Sequence, residues 1–473
     1  MFRSLVRRVV STPSARRTRH LALRSLIALG GFASLASSPT VQAQPALSIP
    51  HEKFTLPNGL EVILHVDRSV PIVAVNTWYK VGSGDEQVGR TGFAHLFEHI
   101  MFMGSQHVPV GKFDEWLEAA GASNNGSTNF DRTNYYETGP SNALPLMLWL
   151  DADRMGFLLP TMDQPKLDLQ RDVVKNERRQ NVENVPYGRF FETVLPVVFP
   201  KGHPYSWEVI GSMADLSAAT LDDVSRFFRT YYAPNNASIT IAGDFAPDSA
   251  RAWVTRWFGD IPRATAPVRP SVSRAPLARD TVLVLEDRVQ LPRVYHVWPS
   301  VPLFDRDDAA LSALAQVMAG GRSARLYASL VREQQVMQDV SAFQYGNKLD
   351  GLFIMNATAK PGQHPRVAAA AFSAEIDRIA RDGVTPRELE RVKNAMRAEM
   401  LDEVSSVLGK ADRLNYYNYF AGTPDYLAQD MARWEALTVD DLKRAARLLQ
   451  RPKVVLTIVP QGQRELAVTE GTR

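Results

Sequence analysis

The feature of this sequence that most constrains its fold is a weak internal repeat. Residues 61–78, E-V-I-L-H-V-D-R-S-V-P-I-V-A-V-N-T-W, resemble residues 281–298, T-V-L-V-L-E-D-R-V-Q-L-P-R-V-Y-H-V-W, and an offset of 220 aligns Trp78 with Trp298. A second pair of segments, T-L-D-D-V and T-V-D-D-L, recurs at an offset of 218. Two pairs at nearly one offset favour a duplicated unit over coincidence. We therefore expect the 473 residues to form two halves of similar fold.

Each half mixes strands and helices. Runs rich in β-branched residues open each half, helical stretches such as 309–318 and 386–403 follow, and strands at 238–242 and 454–459 close the halves. The two types of element do not alternate strictly, so the pattern favours an α+β fold over a doubly wound parallel sheet. We expect two homologous domains, each a mainly antiparallel sheet packed with helices.

A proline-rich stretch separates the two halves. It contains no acidic residue, and its prolines are Pro262, Pro267, Pro270 and Pro276. This composition is typical of a stiff, extended connector. We therefore predict a first domain at 44–262, a linker at 263–277 and a second domain at 278–473, preceded by a leader at 1–43.

The leader has the composition of an export signal. It holds seven arginines and neither lysine nor an acidic residue, and an apolar run at 25–37 precedes the small-residue site Val41-Gln42-Ala43. The apolar run is too short for a stable membrane anchor. We predict cleavage after Ala43 and export to the bacterial periplasm or the medium. A mitochondrial presequence is the alternative, and Arg16-Arg17 leaves twin-arginine export open beside the general secretory route.

The rest of the chain carries little net charge. Of its 54 Lys and Arg residues, seven lie in the leader, which leaves 47 against 51 Asp and Glu residues. This balance gives no reason to expect nucleic acid as a partner. The absence of cysteine excludes disulfides, a thiol nucleophile, cysteine-bound zinc and iron–sulfur clusters.

The clearest chemical signal is the motif H-L-F-E-H, which begins at His95. On a helix, His95 and His99 share a face, so both imidazoles can hold one metal ion with Glu98 beside them. Two imidazoles suit zinc, and H-x-x-E-H is a zinc-peptidase motif whose carboxylate can act on a zinc-bound water. A third protein ligand is needed, and Glu177 in a charged helical segment is the candidate. From these residues alone, two incidental histidines and a solvated glutamate remain the alternative.

Together these motifs resemble the pitrilysin/insulinase family of zinc metallopeptidases, which includes the mitochondrial processing peptidases. Further matching segments are E-A-A-G-A-S-N-N-G-S-T-N-F-D-R-T-N-Y at 118–135, H-P-Y at His203, Y-Y-A-P-N-N-A-S-I-T-I-A-G-D at Tyr231 and L-V-R-E at Leu330. The resemblance extends from about residue 52 to the end of the chain. It implies two similar α+β domains with one zinc ion per chain, held by His95, His99 and Glu177, and Glu98 as the general base.

The resemblance also implies how a substrate binds. An extended peptide would pair through its backbone with an edge strand at 127–136, and this mode tolerates many sequences. Asn125, Ser127 and Thr128 are the expected contacts in the first half, and Arg332 is the expected contact in the second.

Two positions depart from the family pattern. Gln170 stands where members often have a second glutamate, and its amide can still hydrogen-bond near the site without supplying charge. Seven residues after Arg332, where self-sufficient members have tyrosine, the chain has Asp339, which cannot donate a hydrogen bond at neutral pH. We therefore expect a heterodimer with a homologous zinc-free subunit that supplies an Arg/Tyr pair. The alternative is a homodimer, in which Arg332 and another donor such as Tyr416 or Tyr417 suffice.

The expected function is a zinc-dependent endopeptidase that hydrolyses peptides or unfolded polypeptides after export. The main alternative is a non-catalytic, core-type subunit of a hetero-oligomer. A structural subunit has no chemical need for two histidines and two glutamates in these positions, which favours the enzyme. A small-molecule hydrolase that uses the same zinc is a third possibility, and it fits a duplicated, peptide-enclosing architecture less well.

Overall fold

The computed structural model describes residues 47–270, 272 and 276–469. The predicted leader at 1–43 and its cleavage site lie outside the described residues. None of the helices within these ranges has both the length and the apolar character needed to cross a membrane.

The first half of the described chain is one sheet with helices packed against it. Its strands are β1 (Glu52–Thr55), β2 (Glu61–Val66), β3 (Ile72–Tyr79), β4 (Ser123–Thr128), β5 (Thr133–Pro140) and β6 (Ala237–Gly243). Its helices are α1 (Phe93–Ile100), α2 (Lys112–Ala119), α3 (Leu144–Phe157), α4 (Gln164–Arg178), α5 (Phe190–Val198), α6 (Met213–Ala218), α7 (Leu221–Tyr231) and α8 (Pro247–Phe258). The strand order is β1-β2-β6-β3-β5-β4, in which β2 and β6 are parallel and all other neighbours are antiparallel. Strand β4 therefore lies at an edge of the sheet.

The second half of the described chain repeats this plan. Its strands are β7 (Thr281–Asp287), β8 (Arg293–Ser300), β9 (Met337–Gly346), β10 (Gly351–Ala359) and β11 (Val454–Pro460). Its helices are α9 (Asp308–Ala319), α10 (Arg366–Asp382), α11 (Pro386–Glu403), α12 (Val407–Phe420), α13 (Leu427–Glu435) and α14 (Val439–Leu448). The strand order is β7-β11-β8-β10-β9, in which β7 and β11 are parallel and all other neighbours are antiparallel.

The two halves share topology as well as composition. The parallel pair β7 and β11 corresponds to β2 and β6, and edge strand β9 corresponds to β4. The repeated T-x-D-D segments begin matching helices, because Thr220 caps α7 and Thr438 caps α14, each with an aspartate three residues later that completes a capping box. The predicted α+β fold with two similar, mainly antiparallel sheets is confirmed.

The alignment of Trp78 with Trp298 is wrong by one residue. Ser238 of β6 and Val454 of β11 occupy matching positions, because each lies opposite the first residue of its parallel neighbour, β2 or β7. On the antiparallel side, Ser238 lies opposite Trp78 of β3, whereas Val454 lies opposite Val297 of β8. Because neighbouring residues of a strand point to opposite faces, a shift of one residue turns the side chain over. Trp78 accordingly contacts α12, whereas Trp298 lies in the core beneath α9, α10 and α14.

Each half contributes one helix to the sheet of the other half. Helix α5 of the first half packs against β8 and β11, and helix α12 of the second half packs against β3 and β6. The contact made by α5 is apolar and includes Phe190, whose ring stacks on Tyr295 at 4.3 Å. The contact made by α12 combines an apolar cluster, in which Val407 and Ala411 meet Ala74 and Ala242, with hydrogen bonds. One of these is donated by Asn415 to the Asn76 carbonyl oxygen at 2.8 Å. The exchange of helices holds the two halves together.

The connector between the halves is anchored on the first half. The Asn235 side chain exchanges two hydrogen bonds with the Ala264 backbone, both at 2.9 Å. Arg269 forms an ion pair with Asp85 at 2.7 Å. The domain boundaries at 262 and 278 stay predictions.

Candidate metal centre

Helix α1 carries the H-L-F-E-H motif and begins at a glycine that no other residue could replace. Gly92 has φ of 88°, and a Cβ atom there would lie 2.7 Å from the Ile210 carbonyl oxygen. A glycine offers no side chain to cap the first N–H groups of the helix. The buried Glu86 side chain accepts hydrogen bonds from the N–H groups of Gly92 and Ala94 instead, at 3.0 and 2.8 Å. Sequence analysis missed Glu86, whose only signal is an acidic residue shortly before an uncapped helix.

The apolar face of α1 fixes the direction of the motif. Phe93, Leu96, Phe97 and Ile100 are buried in the core of the first half. Ala94 is also buried, whereas His95, Glu98 and His99 are only partly buried. A spacing of three and four residues puts these side chains on one face of the helix. The core therefore directs the two histidines and the glutamate away from itself.

Glu177 reaches the two histidines from the last turn of α4. Its Oε2 atom lies 3.1 Å from His99 Nε2 and 3.6 Å from His95 Nε2. One ligand atom from each of the three residues lies within 4.8 Å of the others. Tetrahedral zinc with ligands at about 2.0–2.2 Å places neighbouring ligand atoms about 3.3–3.6 Å apart. The donor set and its spacing therefore fit one zinc ion with a fourth position left for water or substrate.

The protonation states of these groups suit a metal. Burial, followed by the nearby His99, lowers the pKa of His95 to about 4, so its imidazole is neutral at pH 7. The hydrogen bond from His99 lowers the pKa of Glu177 to about 2, so its carboxylate is ionised. Metal ligands of these types bind in those states.

Glu98 lies on α1, on the side of the helix that faces edge strand β4. Thr128 Oγ1 at the end of β4 donates to Glu98 Oε2 at 2.7 Å, and burial raises the pKa of Glu98. At Gly126 a Cβ atom would come within 3.0 Å of Glu98 Cγ, so the glycine lets the strand approach the carboxylate. The general-base candidate is thus held beside the ligand cluster and directly under β4.

The edge strand differs from the one expected. It comprises β4, Ser123–Thr128, whereas the predicted range 127–136 crosses the turn into the inner strand β5. The turn at 129–132 ends the strand, because the Asn129 side chain accepts the N–H groups of Asp131 and Arg132. The expected range was therefore wrong, although Asn125, Ser127 and Thr128 all lie in β4.

The two faces of β4 have different surroundings. Gly126 and Thr128 face α1 and Glu98. Ser127 faces the other way, where its hydroxyl donates to Asn134 Oδ1 at 2.6 Å. Asn125 accepts a hydrogen bond from the neighbouring Gly126 N–H and is part of the exposed edge.

A further contact locks α1 and α4 in their relative positions. Arg178, next to Glu177, forms ion pairs with Glu192 and Glu208 at 2.5 and 3.1 Å and donates to the Gly211 carbonyl oxygen at 3.0 Å. A Cβ atom on Gly211 would lie 2.3 Å from Gly92 Cα, so the two backbones touch. Arg178 thereby connects the helix that carries Glu177 to the start of the helix that carries the histidines.

Other predicted site residues lie apart from this cluster. Gln170 is buried on α4, where its amide donates to the Met103 sulfur at 2.6 Å. Arg332 is exposed and paired with Glu333 at 2.8 Å, and Asp339 accepts a hydrogen bond from Thr358 at 3.0 Å. The structure therefore gives Gln170 a packing contact and leaves Arg332 on the surface of the second half.

The two tyrosines named as alternative donors pack with apolar residues, Tyr417 within a core cluster and Tyr416 against it. Tyr417 is fully buried, and its hydroxyl donates to Asp430 at 3.0 Å. Tyr416 packs against the rings of Phe304 and Phe420 at 5.8 and 5.0 Å. In this chain α12 directs both rings into an apolar cluster, and the homodimer in which either hydroxyl serves as a donor stays a prediction.

The sequence matches two family models. Residues 61–196 match the model described as Insulinase (Peptidase family M16), and residues 218–396 match the model described as Peptidase M16 inactive domain. The two matches together cover more than half of the chain.

Known proteins agree with these matches. The zinc protease PqqE of Helicobacter pylori is 29% identical over 446 residues, which are 90% of this chain and 96% of that protein. The crystal structure of a protease from Helicobacter pylori superposes with a TM-score of 0.81 at 25% identity and covers 88% of this chain and 100% of its own. The first half of the periplasmic protease PqqL from Escherichia coli shares the fold, with a TM-score of 0.71, 20% identity and coverage of 89% and 94%. The resemblance read from the sequence is confirmed, and the chain belongs to the insulinase family of peptidases, peptidase family M16.

Proposed function

We propose that this protein is a zinc-dependent endopeptidase that hydrolyses peptides or unfolded polypeptides. The observation that carries the proposal is the convergence of His95 Nε2, His99 Nε2 and Glu177 Oε2 within 4.8 Å, with Glu98 beside them. A bound zinc ion supplies Lewis-acid chemistry, since it polarises a peptide carbonyl and lowers the pKa of water.

Glu98 is the proton carrier in this proposal. Thr128 engages its Oε2 atom, so we assign proton transfer to Oε1. This oxygen accepts a proton from the attacking water and later delivers it to the leaving amine. Partial burial and the raised pKa of Glu98 suit a group that must hold a proton between the two steps.

Strand β4 binds the substrate in this proposal. Its outer edge has no neighbouring strand among the described residues, so its N–H and C=O groups can pair with an extended peptide. Backbone pairing recognises an extended chain whatever its side chains, which fits unfolded or short substrates. Gly126 and Thr128 would then hold the scissile bond over Glu98.

A non-catalytic subunit is the competing function, and two measurements separate it from the enzyme. The protein should bind about one zinc ion per chain and should cleave unstructured peptides when it is combined with the proposed partner subunit. Glu98→Gln should keep zinc and the fold but lower turnover by about 10²–10⁴-fold, the usual contribution of an acid–base group. Glu115→Gln, which changes an exposed glutamate paired with Lys112, is the matched control and should leave turnover unchanged. Zinc-loaded protein that shows no measurable turnover even with the partner subunit would favour the structural subunit.

The proposed location and partner follow from the leader and from Asp339. Export is supported by the composition of residues 1–43 and by the likeness to the periplasmic protease PqqL. The proposed partner is a homologous, zinc-free subunit that supplies an Arg/Tyr pair, because Arg332 is followed at seven residues by a carboxylate. Peptide cleavage should appear only when the two subunits are mixed. It should vanish when the partner's tyrosine is changed to phenylalanine, and full activity of the lone chain would refute the heterodimer.

A further inference from the structure

A branched set of hydrogen bonds connects the second half of the chain to the edge strand β4. It starts at Asp412 on α12, the helix that packs against β3 and β6 of the first sheet. Asp412 Oδ1 accepts from Asn76 Nδ2 at 3.0 Å and from Trp78 Nε1 at 3.2 Å. Both donors belong to β3, two strands away from β4.

The first branch crosses the sheet through two amides. Asn76 Oδ1 accepts from Asn134 Nδ2 at 3.0 Å, and Asn134 Oδ1 accepts from the Ser127 hydroxyl at 2.6 Å. A carboxylate can only accept, so Asp412 forces the NH₂ group of Asn76 towards itself. That choice turns the oxygen of Asn76 towards Asn134 and sets the orientation of the second amide in the same way. The orientation of the Ser127 hydroxyl is thus determined from α12.

The second branch reaches the same residue through Arg132. Its guanidinium carbon lies 5.0 Å from the centre of the Trp78 ring, whose N–H is held by Asp412. Arg132 Nη1 donates to the Ser127 hydroxyl at 2.6 Å and to the Ser127 carbonyl oxygen at 2.8 Å. The two branches therefore meet at Ser127, which is the residue before Thr128, the partner of Glu98.

We propose that Asp412 is a positioning residue for peptide binding, which acts through Asn76, Asn134 and Ser127 to hold β4 in the extended form that accepts a substrate backbone. The inference rests on the proposed function, because it assigns the substrate to β4. Under this proposal the second half contributes to substrate binding without needing a side chain that binds the metal or donates to the substrate. The Lys410–Asp67 ion pair, another polar contact of α12, has no connection of this kind to β4 among the described contacts.

The first test does not depend on catalysis. Hydrogen–deuterium exchange is measured at the amides of 123–128 in the zinc-loaded full-length protein and in Asp412→Ala, Asp412→Asn and Lys410→Ala. In Asp412→Ala these amides should exchange about tenfold faster, the effect of losing one buried hydrogen bond of average strength. Asp412→Asn should stay near wild type because its oxygen can still accept, and Lys410→Ala should also match wild type. Unchanged exchange in Asp412→Ala, or equal change in Lys410→Ala, would overturn the proposal.

The second test uses peptide hydrolysis. Asp412→Ala should raise KM about tenfold and change kcat less than about twofold, because β4 holds the substrate equally in the ground state and the transition state. Ser127→Ala should raise KM similarly, and the double variant should be no worse than either single variant, because both act in one chain of contacts. Additive effects, or a lower kcat at unchanged KM, would overturn the proposal.

Two outcomes need a separate reading. If Asp412→Ala fails to fold, Ser127→Ala and Asp412→Asn still test the proposal. The amides of β4 should exchange faster in Ser127→Ala and should exchange as in wild type in Asp412→Asn. Should the wild-type protein lack peptidase activity even with the partner subunit, the proposed function fails, whereas the exchange measurement still decides whether Asp412 controls β4.

Discussion

Replacement of Glu86 tests whether helix α1, which carries His95 and His99, depends on the side chain that accepts its first N–H groups. The buried Glu86 carboxylate accepts three hydrogen bonds, from the N–H groups of Gly92 and Ala94 and from Trp207 Nε1, at 3.0, 2.8 and 3.0 Å. Glu86→Ala removes the acceptor of the two helix N–H groups, whereas Trp207 Nε1 keeps the Ser83 carbonyl oxygen at 3.1 Å. A buried donor left without a partner costs about 1–3 kcal/mol, and water that enters the vacated space recovers part of this cost. We expect the free energy of unfolding to fall by about 2–4 kcal/mol, a large share of the usual 5–15 kcal/mol.

Glu86→Gln separates the loss of acceptors from the loss of volume. The glutamine has nearly the same shape but keeps only one accepting oxygen, so we expect roughly half the loss seen with alanine. Both variants leave His95 and His99 in place. A weaker affinity for zinc would therefore report the position of α1 rather than a missing ligand.

The assay combines urea unfolding, followed by circular dichroism, with zinc competition against a chelator. Glu115→Ala is the control, because Glu115 is exposed and its ion pair with Lys112 is worth at most about 1 kcal/mol. Wild-type stability together with wild-type zinc affinity in Glu86→Ala would refute the capping argument.

Three further predictions concern the ligands, the leader and pH. His95→Ala should lose zinc and Glu177→Gln should bind it more weakly, as measured by metal analysis after gel filtration; unchanged affinity in Glu177→Gln would mean that the third ligand lies elsewhere. N-terminal sequencing of the mature protein should begin at or near Gln44, and retention of the arginines before it would contradict a cleaved signal. Burial raises the pKa of Asp131 from 3.8 to about 6, so the folded state binds a proton more tightly than the unfolded state. The free energy of unfolding should therefore fall by up to about 3 kcal/mol as the pH rises from about 4 to about 6. Asp131→Asn should flatten this part of the pH dependence in urea unfolding, and an unchanged slope would assign it to another group.

Local spacing was sufficient to predict the part of the site that lies on one helix. His95 and His99 share a face of α1 because they are four residues apart, and this follows from helix geometry alone. Glu177 lies on another helix, 78 residues beyond His99, and only the family resemblance selected it among the many glutamates of the chain. The structure brings the three side chains together through the contact of α1 with α4.

The errors have local physical causes. The repeat aligned Trp78 with Trp298 because the motif D-R precedes both strands. The second half has one residue fewer between this motif and the strand position that matches Trp78, which is Val297. A shift of one residue along a strand moves a side chain to the opposite face of the sheet. The edge strand was placed too late because the turn at 129–132 is set by the Asn129 side chain.

The duplicated unit also explains why, within the described chain, the candidate metal centre lies in the first half. Helix α9 follows β8 and contacts edge strand β9, as α1 follows β3 and contacts β4. Where α1 presents His95, Glu98 and His99, α9 is rich in alanine and leucine and is almost wholly buried. A helix that needs no polar face can be covered by α14 and α11, and α9 is packed in that way. The second half instead supports the first half through packing contacts. Helix α12 packs on β3 and β6, and Arg288 donates to Asn184, just beyond the helix that carries Glu177, at 3.2 Å. Since the three candidate ligands and the residues that hold them all come from the first half, substitutions in α12 should alter substrate binding while leaving zinc in place.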